Sequence, residues 1–213
     1  MTEYPLRPDL AIIARWIRPG SRVLDLGCGD GTLLRHLRDT REVTGYGLEI
    51  DAENIVRCIE SDVNVIRMDL DRGLDAFATD SFDYVVLTQA LQVVQRPDHL
   101  LEEMLRIGRE SIVTFPNFGH WHCRLQLSLR GHMPVTPSLP DEWYDTPNIH
   151  LCTVRDFERL CAQKNLRILA RNVVDRHHRS NFWMRSMPNL LGQVALYSLK
   201  RNGTPAAGET STT

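Results

Sequence analysis

A run of acids and glycines carries the first chemical suggestion in this 213-residue chain. Asp25, Gly27, Gly29 and Gly31 fall in VLDLGCGDGTLL, residues 23–34, where an apolar run meets a glycine turn and then a helix-compatible sequence. A strand, a glycine turn and a helix N-terminus offer a ligand close backbone approach and N–H donors. Glu49 closes the next apolar run, and Asp69 lies at the end of the one after it. A dinucleotide fingerprint spaces its glycines as GxGxxG, with the helix dipole aimed at a pyrophosphate. Here the spacing is Gly27-Cys-Gly29-Asp-Gly31, and Asp25 and Asp30 put negative charge in or beside the turn. That charge repels a pyrophosphate and suits a cationic, amino-acid-like ligand. A nicotinamide nucleotide stays as the competing reading.

Elements of strand length alternate with segments of helical period, and these must hold the acids in place. Residues 22–27, 43–50, 63–70, 82–89 and 111–116 read as five buried strands. Helices are expected after the glycines, over 52–60 and over 99–108, the last closed by Gly108 as a C-cap. Another begins at Thr153, with Asp156 placed for a capping box and Phe157, Leu160 and Cys161 on one face. Two further strands, 166–174 and 192–199, have no helical pattern between them, which predicts an antiparallel hairpin at one edge. The fold class is therefore α/β: a doubly wound, mainly parallel seven-stranded sheet with an antiparallel edge hairpin. Residues 117–151, rich in Pro, His and Trp, interrupt this rhythm directly after the fifth strand. Ligands of open α/β sheets bind beyond the carboxyl ends of the strands, so this insert is placed to cover a site.

Composition narrows the classes of function. Twenty-five basic residues balance 27 acidic ones, which gives no overall field toward nucleic acid or a membrane. No apolar run approaches membrane-spanning length, and MTEYPLRPDL has no signal-like layout. Five scattered cysteines without a CxxC pair argue for a reducing compartment, so a cytoplasmic location is expected. One domain over 1–201 and a disordered tail over 202–213 are the expected organisation.

DLGCGDG resembles the first motif of class I S-adenosylmethionine-dependent methyltransferases, and the later elements follow in that family's order. The resemblance implies that Glu49 bonds the ribose hydroxyls and that Asp69 faces the adenine amino group. It also implies that the Leu70 backbone N–H meets the ring and that Thr88 and Gln89 lie near the methionine portion. Asp25, Gly27, Gly29 and Gly31 would complete an S-adenosylmethionine or S-adenosylhomocysteine site. Taken singly, each acid is equally well a turn former or a surface charge.

FPNFGHWHCRL and WYDTPNIHLC, with VLTQALQ and EMLRIGRESIVTFPNFGHW, resemble the MetW family of methionine biosynthesis from about Val23 to Cys161. That resemblance implies a partnership with homoserine O-acetyltransferase (MetX) and implies no methyl acceptor. The expected role is therefore support or regulation of that enzyme, with a methyltransferase acting on a small molecule as the alternative. His120, His122, Tyr144, Asp145 and His150 are possible bases, but spacing alone assigns none of them a catalytic role. His120, His122, Cys123, His150 and Cys152 offer metal-ligand types, yet their spacing fits no usual zinc pattern and no metal is expected. Trp121, Trp143, Tyr144, Phe182, Trp183 and Met184, with Arg176, Arg179 and Arg185, are types enriched at interface centres.

Overall fold

The computed structural model describes residues 6–175 and 182–202. Its single sheet comprises β1 (Arg22–Leu26), β2 (Thr44–Glu49), β3 (Val65–Arg67), β4 (Phe82–Thr88), β5 (Gly108–Pro116), β6 (Leu166–Val174) and β7 (Val194–Arg201). Their spatial order is β3-β2-β1-β4-β5-β7-β6. β1 pairs in parallel with β2 and β4, β2 with β3, and β4 with β5. β7 runs antiparallel to β6, which forms the expected edge hairpin, and also to β5. The helices are α1 (Pro8–Trp16), α2 (Thr32–Arg41), α3 (Ala52–Glu60), α4 (Pro97–Ile107), α5 (Trp121–Arg130), α6 (Val154–Gln163), α7 (Phe182–Ser186) and α8 (Pro188–Leu191).

Strand residues alternate between two apolar cores, one on each face of the sheet. Leu24, Leu26, Val85 and Leu87 join Leu101 and Met104 of α4 and Phe157 and Cys161 of α6. Val23, Tyr84 and Val86 point the other way, to Leu10 and Ile13 of α1 and Leu33, Leu34 and Leu37 of α2. Both faces are covered, so the central strands read as continuous apolar runs rather than alternating ones. No helix among the described residues is long and apolar enough to cross a membrane.

Some expected boundaries shift for physical reasons. β3 keeps only Val65–Arg67, because Asp69 turns the chain into a 3-10 turn, Leu70–Arg72. β5 begins at Gly108, before the expected position 111. Gly108 does end α4, but at φ −110° and ψ 146° it is extended and not a left-handed cap. Its glycine character serves packing, since an added Cβ would fall 2.6 Å from Val85 Cγ2. Thr153 caps α6 as expected: its Oγ1 accepts from the Asp156 N–H at 3.2 Å and donates to Oδ2 of the same residue at 2.6 Å. The expected tail lies outside the described residues, apart from Asn202.

Sequence reasoning missed α1, α5, α7 and α8. Pro8 at the start of α1, Gly131 in the left-handed conformation just past α5, and Pro188 opening α8 were the available signals. In α5 the alternation of Leu125, Leu127 and Leu129 imitates a strand and hides the helix.

Gly47 of β2 faces Cys28, and a Cβ there would lie 2.3 Å from the thiol sulfur and 2.8 Å from Cys28 Cβ. Gly47→Ala should therefore lose about 1–3 kcal/mol of stability by overpacking. A urea unfolding midpoint checks this, and an unchanged midpoint would contradict the packing described.

Candidate active site

The order of strands reverses at β1, which has β2 on one side and β4 on the other. In doubly wound sheets, that reversal opens a crevice at the carboxyl tips. Gly27, Gly29 and Gly31 have φ of 65°, 56° and 75°, a left-handed backbone that favours glycine. At Gly31 space is also short, since an added Cβ would meet Cys58 Sγ at 3.0 Å.

Glu49 is the clasp of this turn. Its Oε2 accepts from the Gly29 N–H at 2.8 Å, and its Oε1 accepts from Ile50 N–H at 2.8 Å and Asp51 N–H at 2.9 Å. Other amides of the turn are also engaged. Gly27 and Cys28 donate to the Leu48 carbonyl, and Gly31 donates to that of Cys28. Asp30 accepts from the Thr32 N–H at the start of α2. A pyrophosphate cradle needs such amides aimed at the ligand. Here they are taken up within the protein, which disfavours the dinucleotide reading. Glu49 Oε2, accepting a single bond, retains a further acceptor direction.

Asp25 lies beneath the turn on β1, buried, with Oδ1 lacking a hydrogen-bond partner. Desolvation, reinforced by the charge of Glu49, pushes its carboxyl up to about 7. A buried, orphaned carboxylate beside a second acid is an environment that a cation would relieve. Below the turn, Cys28 and Cys58 bring their sulfurs to 3.8 Å. Burial pushes both thiols up, so they remain protonated near neutrality and act as packing groups.

Asp69 lies beyond β3 in a crevice of about 570 Å³ shared with Ile50, Met68 and Arg72. Its Oδ1 accepts from the Asp71 N–H at 3.0 Å, capping the short turn that begins at Leu70. Asp69 is thus a turn former that also faces an open crevice. Leu70 packs partly against the core. Ile50 and Met68, the apolar wall of this crevice, were missed; an apolar residue directly after the strand-end acid was the signal for Ile50.

Thr88 ends β4, opposite Thr114. Gln89 follows at φ 51°, a strained conformation for a residue with a side chain, and donates its N–H to Thr114. Its Nε2 donates to Asp9 Oδ2 at 3.4 Å, reaching across to α1. Asp9 itself is fully buried and takes two 2.8 Å bonds from Arg7. No pattern in the sequence pointed to this acid. A separate cavity of about 180 Å³ adjoins Gln89, lined by Arg7, Ser138, Asp175 and Gln193. The insert is fastened nearby, for Ile149 and His150 both donate their N–H groups to the Gln92 carbonyl at 3.0 Å.

The insert's histidines do not converge. His120 is the N-cap of α5 and accepts from the His122 N–H, while burial holds its imidazole below the usual range. His150 pairs with the Gln95 carbonyl, and Cys123 is buried in the helix. A helical turn separates the side chains that a strand would align. Among the described residues no three His, Cys, Asp or Glu side chains gather as a metal site. Tyr144 and Asp145 are exposed. Of the interface candidates, Met184 turns inward to the core, whereas Trp121, Trp143, Tyr144, Phe182 and Trp183 are exposed. Arg176 and Arg179 lie outside the described residues.

Residues 7–199 match the family model described as methionine biosynthesis protein MetW. The chain belongs to the MetW family. A relative from Rhodopirellula baltica, the bifunctional methionine biosynthesis protein MetXA/MetW, is 38% identical over 174 residues. The match covers 78% of this chain and 28% of that protein, so the chain spans little more than a quarter of its relative. Similar solved structures include an S-adenosylmethionine-dependent methyltransferase from Mesorhizobium loti, with TM-score 0.65, 18% identity, and coverage of 91% of this chain and 96% of that one. One from Archaeoglobus fulgidus gives 0.65 and 16%, covering 92% and 93%. The [4+2]-cyclase SpnF gives 0.63 and 15%, covering 92% and 81%. These likenesses establish the class I methyltransferase-like fold of this MetW-family chain. A cyclase among them shows that the fold alone does not fix the reaction.

Glu49→Ala should cost at least about 2 kcal/mol, because three amides lose a charge-assisted partner. Thermal unfolding of the variant checks the clasp independently of any ligand. For Asp25, raised to about 7, the folded chain holds its proton more tightly than the unfolded chain. Its contribution is therefore complete below about pH 4 and is lost as pH rises through 7. Asp25→Asn should gain on the wild type between pH 4 and pH 8; a constant difference would refute this ionisation.

Proposed function

We propose that this chain binds S-adenosylmethionine and associates with homoserine O-acetyltransferase, whose activity it supports or regulates. The observation that carries the association is the relative in which a MetW unit and a unit named MetXA share one polypeptide. Covalent union raises the effective concentration of two units and is a common accompaniment of joint action.

The cofactor reading rests on charge and on donor chemistry. Bound S-adenosylmethionine would supply a sulfonium and an ammonium, both cationic, and a methyl group activated for transfer. Asp25 and Glu49 provide the matching negative environment, and Glu49 Oε2 keeps acceptor capacity for a ribose hydroxyl. Gly27, Gly29 and Gly31 leave the turn without side chains that would obstruct a ligand. Asp69, with Leu70 behind it, borders the crevice suited to the base, where Ile50 and Met68 offer apolar contact. Thr88 and Gln89, at the tip of β4, are assigned to the methionine portion by the family resemblance. Regulation requires that cofactor affinity differ between free and partnered chain.

A specific observation supports the alternative, a methyltransferase acting on a small molecule. The cavity beside Gln89 is of metabolite size, and the Oε1 of Gln193 in its lining is buried without a partner.

Calorimetric titration at pH 6 and pH 8 tests the cofactor site. Affinity of the wild type for S-adenosylmethionine should rise several-fold with pH, because uptake below 7 must displace the Asp25 proton. Asp25→Asn should bind weakly at both values. For the role, homoserine acetylation is measured with and without this chain, alongside transfer from labelled cofactor into a metabolite extract. A changed acetylation rate without transfer favours the accessory role; steady transfer with no change in acetylation favours the alternative.

A further inference from the structure

Helix α5 is apolar on two opposite faces. Cys123 is buried on the inner one, where Leu127 is 45% exposed, while Trp121, Leu125 and Leu129, spaced four apart, form an outer stripe that is 47%, 44% and 75% exposed. In an ordinary surface helix that outer face is polar. On α7, Phe182 and Trp183 are 74% and 65% exposed, and Met187 just beyond is 43% exposed. A groove of about 320 Å³ is lined by Arg124 of α5, Ser186 at the end of α7, Met187, Leu190 of α8, and Arg155 and Glu158 of α6. At 100° per residue, Arg124 lies beside Trp121 on the helix surface. The exposed apolar area of these six side chains is on the order of 600 Å², near the upper limit for a typical monomer and approaching one side of a standard interface.

Charge limits what can cover this face. Neither α5 nor residues 182–191 contains an acid, and Arg130 and Arg185 are exposed without an ion pair among the described residues. A twofold contact between copies of this chain would set arginine rims against each other, which disfavours a second copy. The fitting occupant has an apolar centre and an acidic rim.

We propose that the outer faces of α5 and α7 form the docking surface for the acetyltransferase, with the Trp121–Leu125–Leu129 stripe and Trp183 as its anchors. The identity of the occupant rests on the association proposed above; the location and its polarity rest on this structure. Trp183 and the Trp121 stripe supply large rigid apolar area, and Arg130 and Arg185 suit acidic groups at the edge of a partner.

The test measures binding of the full chain to separately purified homoserine O-acetyltransferase of the same organism. Leu125→Glu and Trp183→Glu should each weaken binding by about 30-fold or more, the level of an interface anchor. Ile59→Glu serves as control, because Ile59 is an exposed apolar residue on α3, outside the proposed face. Affinity for S-adenosylmethionine, unchanged in all three, verifies folding. Wild-type binding that survives both substitutions, or that fails only with Ile59→Glu, overturns the surface while the partnership stands. Absence of wild-type binding removes the partnership and this surface together. A dimer of the chain alone that Leu125→Glu dissociates would assign the face to a second copy and overturn the proposal.

Discussion

A single carboxylate holds the candidate site together. Glu49, at the end of β2, accepts from one amide of the glycine turn and two of its own following segment. Two loops from adjacent parallel strands are thus tied to one side chain. The left-handed glycines make that geometry accessible, since a side chain at each of these φ values would add strain. Because the turn's amides are engaged inward, its character is set by carboxylates and not by donors. The site is an electronegative crevice, whereas the dinucleotide form of this turn binds a pyrophosphate.

The same sheet explains why one of those carboxylates is difficult to ionise. β1 is flanked on both edges, and helices cover both of its faces. Asp25 is therefore deeply desolvated, with a second acid nearby and one oxygen without a partner. Such an arrangement is costly for the isolated chain. Local destabilisation supported by a well-packed surrounding sheet is a common pattern in functional proteins.

Much of the fold was legible because buried parallel strands leave unbroken apolar runs. The runs at 22–27, 82–89 and 166–174 correspond closely to β1, β4 and β6, and the 52–60 helix is α3 itself. The antiparallel pairing of β6 and β7 was legible, although two short helices, α7 and α8, lie between them. Less was legible where one residue type serves two geometries. Leu125, Leu127 and Leu129 alternate like a strand, yet a helix forms, with the left-handed Gly131 ending it. Asp69 reads as a site acid and also caps a turn, and sequence spacing does not separate the two. The clasp of Glu49 was invisible, because it depends on the amides of Gly29, Ile50 and Asp51 converging in space. Asp9 was equally hidden, since an acid in a first helical turn is ordinarily a surface feature.

Gln89 joins the two halves of this account. Its backbone is twisted into a left-handed state at the tip of β4, and its amide is held by a carboxylate of the amino-terminal helix. Any displacement that draws this amide toward the crevice must first break its bond to Asp9. The cost would then appear some distance away, as loosening where α1 leans on the sheet. The position of the Gln89 side chain and the seating of that helix therefore share one bond.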